Sequence, residues 1–337
     1  MGAMIPPNVT DPDQPDVTPP EGGPAAADYE VSLRSLSQWE LAWRKFRQHR
    51  LAIVGLGLLF GLVLAAIVGP IFVPFTPVPP VPNQLVYTGR PPFCVSLDEA
   101  KHACTQFGLV RPFGETGGLQ ADVFMLVLNG ARTSLFLGFT SMAIGVLIGT
   151  IVGAVAGYVG GFVDNLLMRF VDVMLSLPLL FVILVVARFF KGAQDNVWSI
   201  IIVFGLFSWM GVSRLVRSLF LSIREREFVE AAKAVGVRDR RIIFKHILPN
   251  AFSPIVVAAS LIVGGNISGE AFVSFLGFGI NPSTPTWGNI LSNALAFIAQ
   301  GNWWWPLFPG LAIILAVLAV NFVGDGLRDA FDPRSRA

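Results

Sequence analysis

The sequence predicts an all-α, polytopic membrane protein with six transmembrane helices. The chain is 53% hydrophobic and only 14% charged, whereas about a quarter of the residues of an ordinary soluble domain are charged. Six apolar stretches reach the roughly 20 residues that a helix needs to cross a bilayer. Helices are favoured because a segment in lipid must satisfy its own backbone hydrogen bonds.

The residues before the first apolar stretch are expected to lie outside the membrane. Residues 1–32 are rich in Pro, Gly, Asp and Ala, a composition typical of a disordered tail. No short basic region followed by an apolar one opens the chain, so no signal peptide is expected. Residues 33–50 contain Trp39, Trp43 and a basic end, which predicts an amphipathic helix at the membrane interface, with a solvated leader as the alternative.

The first transmembrane helix is predicted over residues 51–75, with Pro70 near its end. Lys and Arg gather on the cytoplasmic side of membrane proteins, so the basic residues just before it place the N-terminus in the cytoplasm: Arg44, Lys45, Arg47 and Arg50. Residues 76–131 then form a Pro-rich extracytoplasmic loop with few positive charges.

Five further helices are predicted within a core of residues 132–325, at Thr133–Tyr158, Asn165–Phe190, Val197–Val216, Phe252–Phe278 and Trp305–Val323. An even number of spans puts both termini, including a polar tail at 326–337, on the cytoplasmic side. The segment 223–250 falls on the same side. Basic residues are dense in these regions and sparse in the outer loops, which agrees with that topology.

Two patterns inside the core predict helix packing. Glycines recur every fourth residue along the second span, and this small stripe allows a close approach of another helix: Gly145, Gly149, Gly153 and Gly157. In the third span, Arg169 and Asp172 are three residues apart, a spacing at which they can pair on one helix.

The segment 223–250 is the only long charged block between the apolar stretches. A helix is predicted in its first half, because small and apolar residues recur there at helical spacing: Phe228, Ala231, Ala232 and Val235. Gly236 is expected to end this helix. Asp239 is expected to cap a second short helix that Leu248-Pro249 closes. Such a helix–glycine–helix between membrane spans indicates a docking element for another protein.

Several classes of protein are disfavoured by missing motifs. HExxH, GxSxG and GxGxxG in a strand–helix setting are absent, and no histidine in a later span could serve as a base for Ser213, so an intramembrane enzyme is a minor alternative. The P-loop GxxxxGK[ST] is also absent, so energy for transport must come from a gradient or another subunit. Nucleic-acid binding is not indicated, because the basic clusters lie beside spans, where anionic lipid attracts them.

Glu270 is the acidic residue that stands out within an apolar span, in GGNISGEAFVSFLGFG. A carboxylate inside a membrane is costly and usually faces a cavity or a polar partner. Two interpretations remain open: a residue of the translocation pathway or its gate, and a structural glutamate bonded to a neighbouring helix.

Cys94 and Cys104 are the two cysteines of the chain, and both fall in the predicted outer loop, where oxidation can occur. A disulfide between them would close a short loop and stabilise it by about 2–3 kcal/mol. Free thiols are one alternative. Metal binding with His102 is another, although the spacing matches no standard zinc pattern, so no metal site is predicted.

The charged segment also carries a motif. Glu230-Ala231-Ala232, then Gly236, then Ile247-Leu248-Pro249 resembles the EAA motif of ABC importer permease subunits. The stretches at 129–139, 157–178, 274–291 and 321–333 are similar to those of the dipeptide, oligopeptide and nickel importer family. An N-terminal span followed by a long outer loop resembles the C-type permease of that family, which implies the type I importer permease fold.

The resemblance implies a division of labour among subunits. This chain would form a heterodimer with a second related permease in a bacterial or archaeal cell membrane, above two ATP-binding subunits that hold ATP and Mg, with no cofactor in this chain. An extracytoplasmic binding protein would deliver a peptide, or in the alternative nickel or another small solute. The motif residues would form the coupling helix that contacts an ATPase subunit: Glu230, Ala231, Ala232, Gly236, Ile247, Leu248 and Pro249.

Overall fold

The computed structural model describes residues 38–72, 90–98, 103–107, 112–116, 121–189, 196–281 and 283–331. The tail predicted at 1–32 lies outside these residues. Within them, five helices are long and apolar enough to cross a membrane, and a pair of helices bent by 73° adds a sixth candidate span. The prediction of a six-helix membrane fold is therefore confirmed, with one span broken in two.

The helices at the N-terminal end are α1 (Gln38–Gln48) and α2 (Arg50–Phe72). Ala42 and Phe46 on α1 are buried, while Trp43 is 56% exposed, so α1 has the two-sided character that the sequence predicts. His49 lies between the helices. Its Nδ1 accepts a hydrogen bond from the Ala52 backbone N–H (3.1 Å), which satisfies a donor in the first turn of α2.

The predicted outer loop contains regular structure, which the all-α prediction missed. Strands β1 (Cys94–Asp98) and β2 (Ala103–Phe107) form an antiparallel sheet. The next helix, α3 (Val123–Val159), begins well before the predicted Thr133. It begins there because Asp122 accepts a hydrogen bond from Phe124 N (2.8 Å) and caps the first turn.

The centre of the fold is the pair formed by α3 and α6 (Val197–Arg224). The four glycines of the predicted stripe are buried along this interface. A Cβ atom on Gly149 would lie 2.6 Å from Trp209 O, and one on Gly153 would lie 2.5 Å from Ser213 O. The predicted close packing is therefore confirmed, and α6 is the helix that makes it.

The bent span consists of α4 (Gly161–Leu175) and α5 (Leu179–Phe189). The predicted local pair of Arg169 with Asp172 is wrong, because Asp172 accepts a hydrogen bond from Arg214 on α6. Asp164 likewise pairs with Arg217, whose Nη2 donates to Asp164 Oδ2 at 2.6 Å. Both acids thus bond across to α6, where the guanidinium groups neutralise them.

The remaining helices complete the bundle. They are α7 (Glu227–Ala234), α8 (Asp239–Arg241) with a π-helical turn at Ile242–Ile247, α9 (Leu248–Phe275), α10 (Trp287–Ile298) and α11 (Trp304–Phe331). Helix α11 continues past the predicted end of the sixth span at Val323, into the predicted tail. The fully buried Trp287 anchors α10 to α3, since its Nε1 donates to Val127 O (3.1 Å).

Candidate docking site

The candidate site is the segment 223–250, referred to below as the docking segment, with the helix ends that hold it. Its first helix, α7, ends as predicted before Gly236, which adopts φ 78°. This left-handed backbone conformation strains any residue with a Cβ, so glycine is the residue that suits the turn. Val237 N then donates to Ala232 O (3.1 Å) and satisfies a carbonyl at the end of α7.

The second half of the docking segment departs from the prediction. Leu248-Pro249 does not close a helix, because α8, the π-helical turn and α9 run on as one stretch from Asp239 to Phe275. Pro249 is tolerated since it lies in the first turn of α9 and the π-helical turn before it shifts the backbone hydrogen bonds, with Leu248 N donating to Ile243 O. Asp239 does not cap α8 either; the residue before that helix is Arg238.

One side of the docking segment is buried against the bundle. Val229 on α7 is fully buried in an apolar cluster with residues of α6, the π-helical turn and α9: Val212, Val216, Phe220, Ile223, Ile242, Ile247, Ala251 and Ile255. No pattern in the sequence marks Val229 as the buried residue of α7. The fully buried side chain fixes α7 to the bundle, and at roughly 25 cal/mol per Å² such burial contributes about 1.5–3 kcal/mol.

The opposite side of α7 is exposed. The apolar stripe predicted from helical spacing points outward: Phe228 is 42% exposed and Val235 is 84% exposed. Glu230, Ala231 and Gly236 are exposed with them, and Ala232 is partly buried. Apolar side chains exposed at a charged end of the bundle form a surface suited to contact with another protein.

The other three motif residues are divided between surface and core. Pro249 is exposed and Leu248 is partly buried, while Ile247 is fully buried in the apolar cluster with Val229. Ile247 therefore supports the docking segment from inside and does not present a contact surface.

A polar cluster ties the docking segment to the end of α3. The Tyr158 hydroxyl donates a hydrogen bond to Asp239 Oδ1 at 2.5 Å. Lys233 Nζ lies 5.9 Å from the centre of the Tyr158 ring, within range of a cation–π contact. Arg224, at the end of α6, donates to Gly157 O and Tyr158 O, each at 3.2 Å. No periodic pattern marks Tyr158 in the sequence, so it was missed.

The basic residues of the second half lie together on the surface. Arg238, Arg240, Arg241 and Lys245 line a small depression with Phe244, which is 61% exposed. The docking segment thus presents acidic side chains on α7, and basic side chains on α8 and on the π-helical turn that follows it. Charges arranged in this way favour one orientation of a partner over others.

Glu270 is far from the docking segment, about 33 Å along α9 from Leu248. It is buried, and its carboxylate accepts hydrogen bonds from the Ser274 hydroxyl (2.7 Å) and from the Ser134 hydroxyl on α3 (3.4 Å). Ser134 Oγ in turn accepts a hydrogen bond from the Trp287 backbone N–H on α10 (3.2 Å). This geometry favours the structural interpretation, because the carboxylate and Ser134 together join α9, α3 and α10.

Cys94 is buried and disulfide-bonded. The sequence has one other cysteine, Cys104, which lies on the strand paired with that of Cys94. Among the residues that the structure describes, no group of three or more His, Cys, Asp or Glu side chains could hold a metal ion.

Comparison with known proteins places the chain in a family. Residues 145–337 match the family described as "Binding-protein-dependent transport system inner membrane component". Residues 37–90 match the "N-terminal TM domain of oligopeptide transport permease C".

Three relatives align over nearly the whole chain. The dipeptide transport system permease protein DppC of Bacillus subtilis is 38% identical over 307 residues, covering 91% of this chain and 89% of that protein. The oligopeptide transport system permease protein OppC of Haemophilus influenzae is 36% identical, covering 91% and 92%. DppC of Alkalihalophilus pseudofirmus is 36% identical, covering 96% and 98%.

A solved structure supports the fold. A chain of the inward-facing MetNI methionine ABC transporter matches with a TM-score of 0.50 and 22% identity, covering 61% of this chain and 96% of that one. At this identity the match shows the fold alone. Together the family matches and the fold confirm the predicted resemblance: the chain belongs to the binding-protein-dependent transport system inner membrane components, the permease subunits of ABC importers, whose ATPase is a separate subunit.

Proposed function

We propose that the chain forms half of the translocation pathway of an ATP-driven importer of dipeptides and oligopeptides. The names of the aligned relatives, which are dipeptide and oligopeptide permeases, support this cargo. The other half of the pathway is a second, related permease, so the membrane unit is a heterodimer in a bacterial or archaeal cell membrane. ATP and Mg are bound by two ATPase subunits, and this chain needs no cofactor of its own.

The observation that carries the proposal is the two-sided structure of α7. Val229 is buried in the bundle, while Phe228, Ala231 and Val235 face outward beside Glu230. We infer that this exposed side contacts a groove of an ATPase subunit, where small side chains permit a close approach. The docking segment and both termini then lie in the cytoplasm, as the distribution of Lys and Arg favours.

The opposite end of the bundle faces the substrate-binding protein in this proposal. A bridge between Cys94 and Cys104 would stiffen the small sheet that this end presents. Glu270 would hold α10 beside α3 and α9, and so keep the outer end of the pathway in shape without contacting the peptide.

Transport by the reconstituted complex tests the proposal. The chain is co-expressed with its partner permease, ATPase subunits and binding protein, and the complex is placed in liposomes. Uptake of a radiolabelled dipeptide is expected to require ATP, the binding protein and active ATPase subunits. Uptake that continues with ATPase subunits unable to hydrolyse ATP would refute an ATP-driven importer. Uptake of nickel in place of the peptide would refute the peptide cargo only.

A single charge reversal tests the contact surface. Glu230→Lys is expected to lower peptide-stimulated ATP hydrolysis about tenfold, because it reverses a charge at the proposed interface. Glu40→Lys makes the same change at an exposed site on α1 and serves as the matched control. Equal ATPase activity in the two variants, at equal amounts of complex, would show that α7 is not the contact.

A further inference from the structure

A polar cluster joins both arms of the docking segment to one residue of α3. Tyr158 bonds through its hydroxyl to Asp239, which begins α8, and its ring lies near Lys233 of α7. Gly236 separates these two arms and keeps its φ 78° turn between them. Tyr158 is therefore the point where the two arms meet one end of a transmembrane helix.

Tyr158 is the next-to-last residue of α3, which is a long and closely packed helix. Its 37 residues span about 55 Å, more than the roughly 30 Å of a hydrocarbon core, so α3 extends beyond the membrane. Gly157, next to Tyr158, is packed against Phe220 and Arg217 on α6, and Arg224 holds the carbonyls of both residues. We therefore expect a displacement of Tyr158 to move α3 and α6 together.

Stability alone does not explain the bond between Tyr158 and Asp239. Asp239 is exposed, and so its carboxylate could be satisfied by water. The net stability gained from an exposed hydrogen bond is small. What the bond does specify is the position of α8 relative to α3, across 81 residues of sequence.

We propose that Tyr158 is a positioning residue that transmits movement of the docking segment to α3, through its hydrogen bond to Asp239. This inference rests on the proposed function, in which ATPase subunits move the docking segment. When that segment is displaced, Asp239 pulls on the Tyr158 hydroxyl, and α3 moves with α6. Without the bond, α8 can move while α3 follows it less completely, and more ATP is hydrolysed for each dipeptide imported.

Four single variants, and the double variant Tyr158→Phe/Asp239→Ala, separate these roles when each is placed in liposomes as the full complex. Tyr158→Phe removes the hydroxyl but keeps the ring near Lys233. Asp239→Ala removes the acceptor, whereas Asp239→Asn keeps an acceptor oxygen. Ser218→Ala is the matched control, because it deletes an exposed hydroxyl of α6 that bonds only to Leu215 O of its own helix (2.7 Å). The measured quantity is the number of dipeptides imported per ATP hydrolysed, with the melting temperature of each complex measured in parallel.

Tyr158→Phe and Asp239→Ala are each expected to lower this ratio by about three- to tenfold, which matches the loss of one hydrogen bond. The double variant should be no worse than either single one, and Asp239→Asn should restore most of the ratio. Three results would overturn the proposed coupling through Tyr158 and Asp239. The first is a double variant whose loss is the sum of the two single losses. The others are a melting temperature that falls in parallel with the transport ratio, and an unchanged ratio in Tyr158→Phe. If the wild-type complex itself shows no ATP-dependent uptake, the proposed function fails instead.

Discussion

Replacing Gly153 with alanine tests the packing on which the whole bundle depends. A Cβ at this position would lie 2.5 Å from Ser213 O and 2.8 Å from Val216 Cβ, against 3.4 Å or more for ordinary contact. The nearest atom belongs to the backbone of α6 and has no rotamer that moves it aside. The two helices must therefore separate by about 1 Å, or α3 must bend. Overpacking of this kind costs about 1–3 kcal/mol.

Gly211→Ala is the control for this change. Gly211 lies on α6, the partner helix, and a Cβ there would have no atom within 4 Å. Alanine at such a site removes only the flexibility of glycine, which favours the helix by about 0.5–1 kcal/mol. Gly153 also lies inside a helix, so this gain is common to both variants, and their free energies of unfolding should differ by the overpacking cost of about 1–3 kcal/mol, with Gly153→Ala the less stable.

Titration with SDS in mixed micelles measures this difference, because it unfolds helical membrane proteins reversibly enough to compare variants. Tryptophan fluorescence reports the transition, since α6 carries the buried Trp209 at the same interface. If Gly153→Ala unfolds at the same SDS fraction as Gly211→Ala, the α3–α6 interface is not closely packed, and the reasoning is refuted.

Two further predictions concern the docking segment and the outer end of the pathway. Gly236→Ala should cost about 1–2 kcal/mol purely through backbone strain, since a Cβ at that position would have no atom within 4 Å, while Gly236→Asn should cost less. Hydrogen exchange over α7 and α8 measures this difference, and equal exchange in the two variants would contradict it. Glu270→Leu should destabilise the protein by about 2–4 kcal/mol, because two buried hydroxyls lose their acceptor, and Glu270→Gln should cost less. SDS titration checks this order; a Leu variant as stable as wild type would contradict it.

Local sequence patterns correctly predicted the transmembrane spans, the close-packed face of α3 and the turn at Gly236, because a single physical constraint decides each of these features. A bilayer demands about 20 apolar residues per span, so the spans were found from composition alone. The glycine spacing identified the close face of α3, and Gly236 identified the turn in the docking segment. Each of these features depends on residues close together in the sequence, and so each can be predicted without knowledge of the fold.

Predictions failed where a distant residue changed the local preference. Arg169 is three residues from Asp172 on the same helix, yet Asp172 bonds to Arg214 on α6. Asp239 was expected to cap α8, but its carboxylate instead accepts a hydrogen bond from the Tyr158 hydroxyl. The stop expected at Pro249 does not occur, because a π-helical turn and packing of Ile247 in the core carry the helix past it.

The sequence by itself determined the class of the protein, the number of candidate spans, the family and the segment that we propose as the docking site, because hydrophobic length, charge and motif spacing are properties of the chain in order. Only the tertiary structure decided which side of α7 is buried, that Val229 packs that side into the core, and that the Glu270 carboxylate accepts hydrogen bonds from Ser134 and Ser274. These features arise from contacts between residues far apart in the chain, whose partners become known only when the helices pack.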